Sequence, residues 1–111
     1  MDLYSELQEK QNLLNMTISE IKKRGKELAQ AEHDYRVALA QKIMLERADG
    51  QPVTIISDIC RGDEKVANLK LQRDIADSMY TSVLEAVNVL KLNVKIIENQ
   101  LEREYGQTKR M

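Results

Sequence analysis

The sequence predicts an all-α protein in which two long helices form an antiparallel hairpin, with a short helix in the connection between them. Apolar residues recur at intervals of three and four over two blocks of nearly equal length, which is typical of amphipathic helices. A short passage between the blocks holds the only proline, the only cysteine and two of the four glycines. At 111 residues the chain has the size of one domain, and the equal lengths of the two blocks favour an antiparallel hairpin, so we expect residues 1–111 to form a single helical-hairpin domain.

The first block predicts a helix from about residue 3 to residue 47. Its main apolar line has a period of seven residues and consists of Leu7, Leu14, Ile21, Leu28 and Tyr35. The second line contains Tyr4, Ile18 and Leu39, and it is interrupted by Gln11, Gly25, Glu32 and Glu46. A glycine inside a helix costs roughly 1 kcal/mol relative to alanine. We therefore expect Gly25 to weaken this helix unless close packing requires it.

The connection, residues 48–62, is longer than a simple turn between helices needs. Gly50 and Pro52 are expected to end the first helix, since proline lacks the amide donor and restricts the residue before it. Thr54 is a possible cap of a short helix over about residues 54–61, and Gly62 is its expected end. We expect its apolar residues to plug the end of the core: Val53, Ile55, Ile56 and Ile59. The alternative is a contact surface for another macromolecule, with candidate residues Gln51, Asp58 and Arg61.

The second block predicts a helix from about residue 63 to residue 105. Asp63 is its expected N-cap, and Gly106 is its expected end. Its apolar line keeps a spacing of three and four residues over five heptads, at Val66, Leu69, Arg73, Ala76, Tyr80, Val83, Val87, Leu90, Val94, Ile97 and Leu101.

A further apolar line on the second helix makes its apolar arc too broad for one partner helix. We therefore expect a homo-oligomer, with a dimer that doubles the hairpin into a four-helix bundle as the first interpretation. The candidate interface residues are Leu71, Ile75, Met79, Val89 and Ile96.

The composition argues against most chemical functions. There is one histidine, His33, and one cysteine, Cys60, and we find no phosphate loop and no zinc motif. We therefore expect no enzyme activity, no catalytic residues, no metal and no cofactor. The net charge of -1 does not suggest a dedicated binder of duplex DNA or of membrane surfaces. The sequence has no apolar membrane-spanning segment and no signal-peptide pattern, and a lone cysteine fits a reducing compartment, so we expect a cytoplasmic protein.

The C-terminal two thirds resemble small helical proteins encoded by temperate phages and prophages of Gram-positive bacteria. The resemblance rests on Gly50 and Pro52, Gly62 and Asp63, Tyr80, Lys91 and Lys95, and "EREYG" at Glu102 to Gly106. It implies the cytoplasm of a bacterial host and a gene context of early functions such as recombination and single-strand binding. It implies no settled activity.

Three functions stay open at the level of sequence. The first is a phage-type accessory or inhibitor that engages a host or phage protein through its helical faces or its tip. The second, which is not favoured because stacking aromatics are few, is an accessory that binds nucleic acid through Lys22, Lys23, Arg24, Lys26, Lys91 and Lys95. The third is a protein that sequesters a nucleotide signal through Arg47, Arg61, Arg103 and Arg110.

Overall fold

The chain is all-helical and forms an antiparallel helical hairpin with a short helix in its connection. The computed structural model describes the backbone of residues 2–110 and the side chains of residues 2–106. Its elements are α1 (Leu3–Ala48), α2 (Val53–Gly62) and α3 (Glu64–Arg110). The predicted end of the last helix at Gly106 is wrong, because α3 continues through this residue. No helix in the described residues is both long enough and apolar enough to cross a membrane.

A Schellman motif ends α1. The amide of Gln51 donates a hydrogen bond to the carbonyl oxygen of Glu46 at 3.1 Å. The amide of Gly50 donates a hydrogen bond to the carbonyl oxygen of Arg47, also at 3.1 Å. This motif requires a left-handed residue, and Gly50 supplies it with a φ of 79°. Glycine adopts this conformation without the steric cost that a Cβ would bring. The predicted role of Gly50 in ending the helix is therefore confirmed.

Pro52 starts α2 rather than ending α1. It occupies the N-cap position in an extended conformation, with φ -59° and ψ 136°, and its carbonyl accepts a hydrogen bond from the amide of Ile55 at 3.1 Å. Thr54, predicted as the cap, lies inside the helix, so that prediction is wrong. The fixed φ of proline suits the entry to a helix, and its missing amide is not needed there.

Asp63 separates α2 from α3. Its backbone is extended, with φ -66° and ψ 128°, so the chain leaves one helix and enters the next within one residue. Its carboxylate accepts a hydrogen bond from the amide of Val66 at 3.0 Å, which is the geometry of an N-cap. The predicted cap at Asp63 is therefore confirmed.

The chain divides into two compact units. One consists of Arg24–Tyr80 and contains all of α2. The other consists of Met1–Lys23 and Thr81–Met111. This division does not test the prediction of a single domain, which stays a prediction.

In the Arg24–Tyr80 unit the two long helices keep an antiparallel heptad register. Gly25 faces the ring of Tyr80, and seven residues farther along α1, Glu32 faces Arg73, which is seven residues back along α3. Equal steps in opposite directions are what an antiparallel pair of helices with a seven-residue repeat produces. The buried apolar side chains of this unit are Ala38, Ile56, Cys60 and Val66.

The other unit buries aliphatic side chains of α3. Val87, Leu90 and Ile97 are buried there, and they belong to the apolar line that the sequence predicts for the core. Their spacing of three and seven residues places them on one face of the helix.

Candidate functional site

Three residues that interrupt the apolar line of α1, namely Gly25, Glu32 and Glu46, each lie beside a specific neighbour. A Cβ at Gly25 would lie 3.6 Å from Cε2 of Tyr80, which is ordinary van der Waals contact. Glu46 is buried and its carboxylate pairs with the Lys42 ammonium at 2.8 Å. Lys42 also lies 3.6 Å from Asp63. The hydrogen bond from Lys42 to Glu46, together with the charges of both carboxylates, raises the pKa of Lys42.

Glu32 pairs with Arg73, which occupies a core position of α3. One guanidinium nitrogen of Arg73 lies 3.5 Å from Glu32, and another lies 2.9 Å from Asp74. The guanidinium also lies 4.9 Å from the centroid of the Tyr35 ring, within the range of a cation–π contact. A hydrogen bond from Arg36 lowers the pKa of Glu32, and Arg73 contributes to the same shift. This charged cluster therefore has a structural role in joining the two helices.

The short helix α2 buries a different set of residues from the one predicted. Ile56 is 6% exposed and Cys60 is 1% exposed, whereas Val53 is 77% and Ile55 is 41% exposed. Ile59 is half-buried. The prediction that Val53 and Ile55 plug the core is therefore wrong. Cys60 takes that place because it lies one helical turn after Ile56, on the same face.

Two adjoining cavities lie beside α2, and we call them together the tip cleft. One has a volume of about 370 Å³ and the other about 320 Å³. They share Tyr35, Leu39 and Arg61. The first is also lined by Ile43, Arg47, Val53, Ile56, Ser57 and Cys60, and the second by Val66, Ala67 and Lys70.

The predicted tip contacts Gln51, Asp58 and Arg61 are all exposed. Arg61 lines the tip cleft together with Arg47, a pair that the sequence analysis named for a nucleotide ligand. Arg103 belongs to the other compact unit, where it lines a cavity with Leu3 and Gln100. The side chain of Arg110 lies outside the described residues.

The basic candidates do not line the tip cleft. Arg24 is half-buried and pairs with Glu27 at 3.1 Å. The other five are exposed on the two long helices: Lys22, Lys23, Lys26, Lys91 and Lys95. Binding of nucleic acid by these side chains stays a prediction.

The candidate interface residues of α3 are exposed in the single chain. These residues are Leu71, Ile75, Met79, Val89 and Ile96, and each is between 41% and 58% exposed. Four of them belong to a line of eight uncharged positions spaced alternately by four and three residues. We call this line the outer seam, and it consists of Ile75, Met79, Ser82, Ala86, Val89, Asn93, Ile96 and Gln100.

Metal binding has no geometric support in the described part of the chain, where no group of three or more His, Cys, Asp and Glu side chains is placed to hold an ion. His33 is exposed and lies 3.3 Å from Asp34, and Cys60 is buried on the inner face of α2.

No protein-family model matches the chain, and no curated protein and no solved structure matches it.

Proposed function

We propose that the chain is a non-enzymatic protein-interaction module that associates with a second copy of itself along the outer seam. The observation that carries this proposal is the exposure of Ile75, Met79, Val89 and Ile96 on one uncharged line of α3. A spacing of alternately four and three residues is the pattern by which helices interlock their side chains in coiled coils. A second helix laid along this line would bury these apolar groups.

A second copy suits the outer seam because the seam can face itself without an electrostatic penalty. None of its eight positions carries a charge, so a two-fold pairing places no like charges opposite each other along the seam itself. The net charge of the whole chain is -1, and a charge so close to zero offers little long-range repulsion between copies. Pairing two hairpins in this way gives a four-helix bundle.

The resemblance to small helical phage proteins supports an accessory or inhibitory role for this assembly. The faces left exposed after self-association would then engage a host or phage protein, with Asp58 and Arg61 of the tip as candidate contacts. Helical bundles of this kind offer recognition surfaces more readily than active sites.

Light scattering of the purified chain at micromolar concentration tests the self-association. The expected mass is twice that of the 12.8 kDa chain, and Val89→Asp should reduce it to that of one chain or cause aggregation. A carboxylate at this seam position would have to be buried without a partner, which is costly.

Met16→Asp is the matched control for Val89→Asp. Met16 is 67% exposed and lies in the same compact unit as Val89, but it belongs to α1 and not to the outer seam. This variant should keep the wild-type mass. A wild-type chain that runs as a compact monomer would contradict the proposal, and so would dissociation by both substitutions.

A further inference from the structure

The tip cleft combines an apolar floor with a rim that carries only positive charges. Leu39, Ile43 and Ile56 line its apolar part, and the ionic side chains that line it are Arg47, Arg61 and Lys70. No carboxylate is among the described residues that line either cavity. All three cationic residues are exposed, so their head groups are accessible from water.

The cations of the rim have no acidic partner in the described part of the chain. Other cations of this unit are paired: Lys42 forms an ion pair with Glu46, and Arg73 forms one with Glu32. Arg47, Arg61 and Lys70 take part in no such pair among the described residues. Arg47 and Arg61 line one cavity, and Arg61 and Lys70 line the adjoining one. Unneutralised cations beside an apolar cavity are complementary to an anion that carries an apolar body.

We infer that the tip cleft binds a small amphipathic carboxylate, an unbranched apolar chain with one anionic head group. The apolar chain lies against Leu39, Ile43 and Ile56, and the carboxylate lies at the rim near Arg47 and Arg61. Guanidinium groups suit this head group because their planar N–H donors match the two oxygens of a carboxylate. The volumes of about 370 Å³ and 320 Å³ fall in the lower range of small-molecule pockets, which suits a short chain.

This inference is independent of the proposed self-association. The residues of the tip cleft lie in the Arg24–Tyr80 unit, and none of them belongs to the outer seam. Loss of self-association would therefore leave carboxylate binding in place. Loss of carboxylate binding would likewise leave self-association in place.

Titration of the full-length ¹⁵N-labelled chain with octanoate, followed by NMR, tests the inference. Octanoate should shift the amide resonances of α2 and of the facing part of α1, around Leu39 and Ile43. Octanamide has the same apolar chain without the charge, and it should bind at least about fivefold more weakly because it lacks the charge-assisted hydrogen bonds. Octyl phosphate carries more negative charge, so it should bind up to about tenfold more tightly than octanoate, and a larger preference for phosphate would overturn the assignment of the head group.

Arg47→Gln and Arg61→Gln should each weaken octanoate binding by about fivefold, since each removes one charged donor and keeps a long side chain. Lys91→Gln, which removes a charge from the other compact unit, should leave it unchanged. Arg61→Lys should restore part of the affinity. Thermal melts of the same variants guard against unfolding as the cause.

Three results would overturn the inference. Octanoate and octanamide could bind equally well, or the shifts could centre on Val89 and Ile96 of the outer seam. Either result would mean that octanoate binds exposed apolar surface and not the cationic cleft. Unchanged octanoate binding in both glutamine variants would do the same, and would leave the two arginines as charges that stabilise the ends of α1 and α2.

Discussion

Gly25 lies in the interior of α1, opposite the ring of Tyr80. A Cβ at this position would be 3.6 Å from the ring, a distance at which alanine fits without displacing its neighbour. We therefore predict that Gly25→Ala stabilises the fold by up to about 1 kcal/mol, the difference in helix propensity between the two residues. The free energy of unfolding from urea denaturation measures this change.

Gly50→Ala is the opposite case and serves as the control. Gly50 has open space around it but a φ of 79°, so a Cβ there is strained by the backbone and not by a neighbour. This substitution should destabilise the fold by about 1 kcal/mol. If Gly25→Ala also destabilises, the two helices approach each other more closely than the contact with Tyr80 indicates.

A difference in backbone conformation explains why one glycine ends a helix and another does not. Gly50 ends α1 because it adopts the left-handed conformation, whereas Gly106, expected to end α3, lies inside that helix without a positive φ. A glycine residue permits the left-handed conformation but does not impose it. The sequence alone therefore marks candidate ends of helices without deciding among them.

At the scale of the element, α2 has one strongly buried face and one exposed face. We predict that Ile56→Ala destabilises the fold by about 2 to 4 kcal/mol, because the truncation leaves a cavity beneath the helix. Ile55→Ala is the control of identical chemistry, since Ile55 is 41% exposed where Ile56 is 6% exposed. It should cost less than about 1 kcal/mol.

Thermal and urea denaturation of both variants measure these costs. Ile59→Ala should fall between them, because Ile59 is half-buried. Asp58→Ala and Arg61→Ala should leave stability nearly unchanged, since both side chains are exposed. Equal costs for Ile55→Ala and Ile56→Ala would show that α2 does not hold the orientation described.

The existence and position of α1 and α3 were predictable because their apolar residues keep a heptad spacing over many turns. In α2, which has only 10 residues, the same kind of pattern did not identify the buried face correctly. The pairing of Glu32 with Arg73 was not predictable in the same way. It depends on the register between α1 and α3, and this register depends on how α2 and its two junctions fill the connection. The tip cleft was missed for the same reason, since Arg47, Arg61 and Lys70 come from three helices.

At the scale of the whole molecule, the outer seam raises the question of how two copies would be oriented. The midpoint of the seam lies between Ala86 and Val89. A two-fold axis at this point, perpendicular to α3, makes the two α3 helices antiparallel and places Ala86 of each copy opposite Val89 of the other. Such a pairing brings Ala86 close to its own copy. Gln100 would then lie roughly 40 Å from its copy, at 1.5 Å of rise per residue.

This geometry predicts which engineered cysteines form a disulfide between copies. In a Cys60→Ala background, which removes the native thiol, Ala86→Cys should cross-link under mild oxidation because the two copies of this residue are displaced by only about 4.5 Å along the helix axis. Gln100→Cys should not cross-link. Non-reducing gel electrophoresis measures both. Equal cross-linking at the two positions would indicate parallel helices, since in a parallel pair every seam residue faces its own copy.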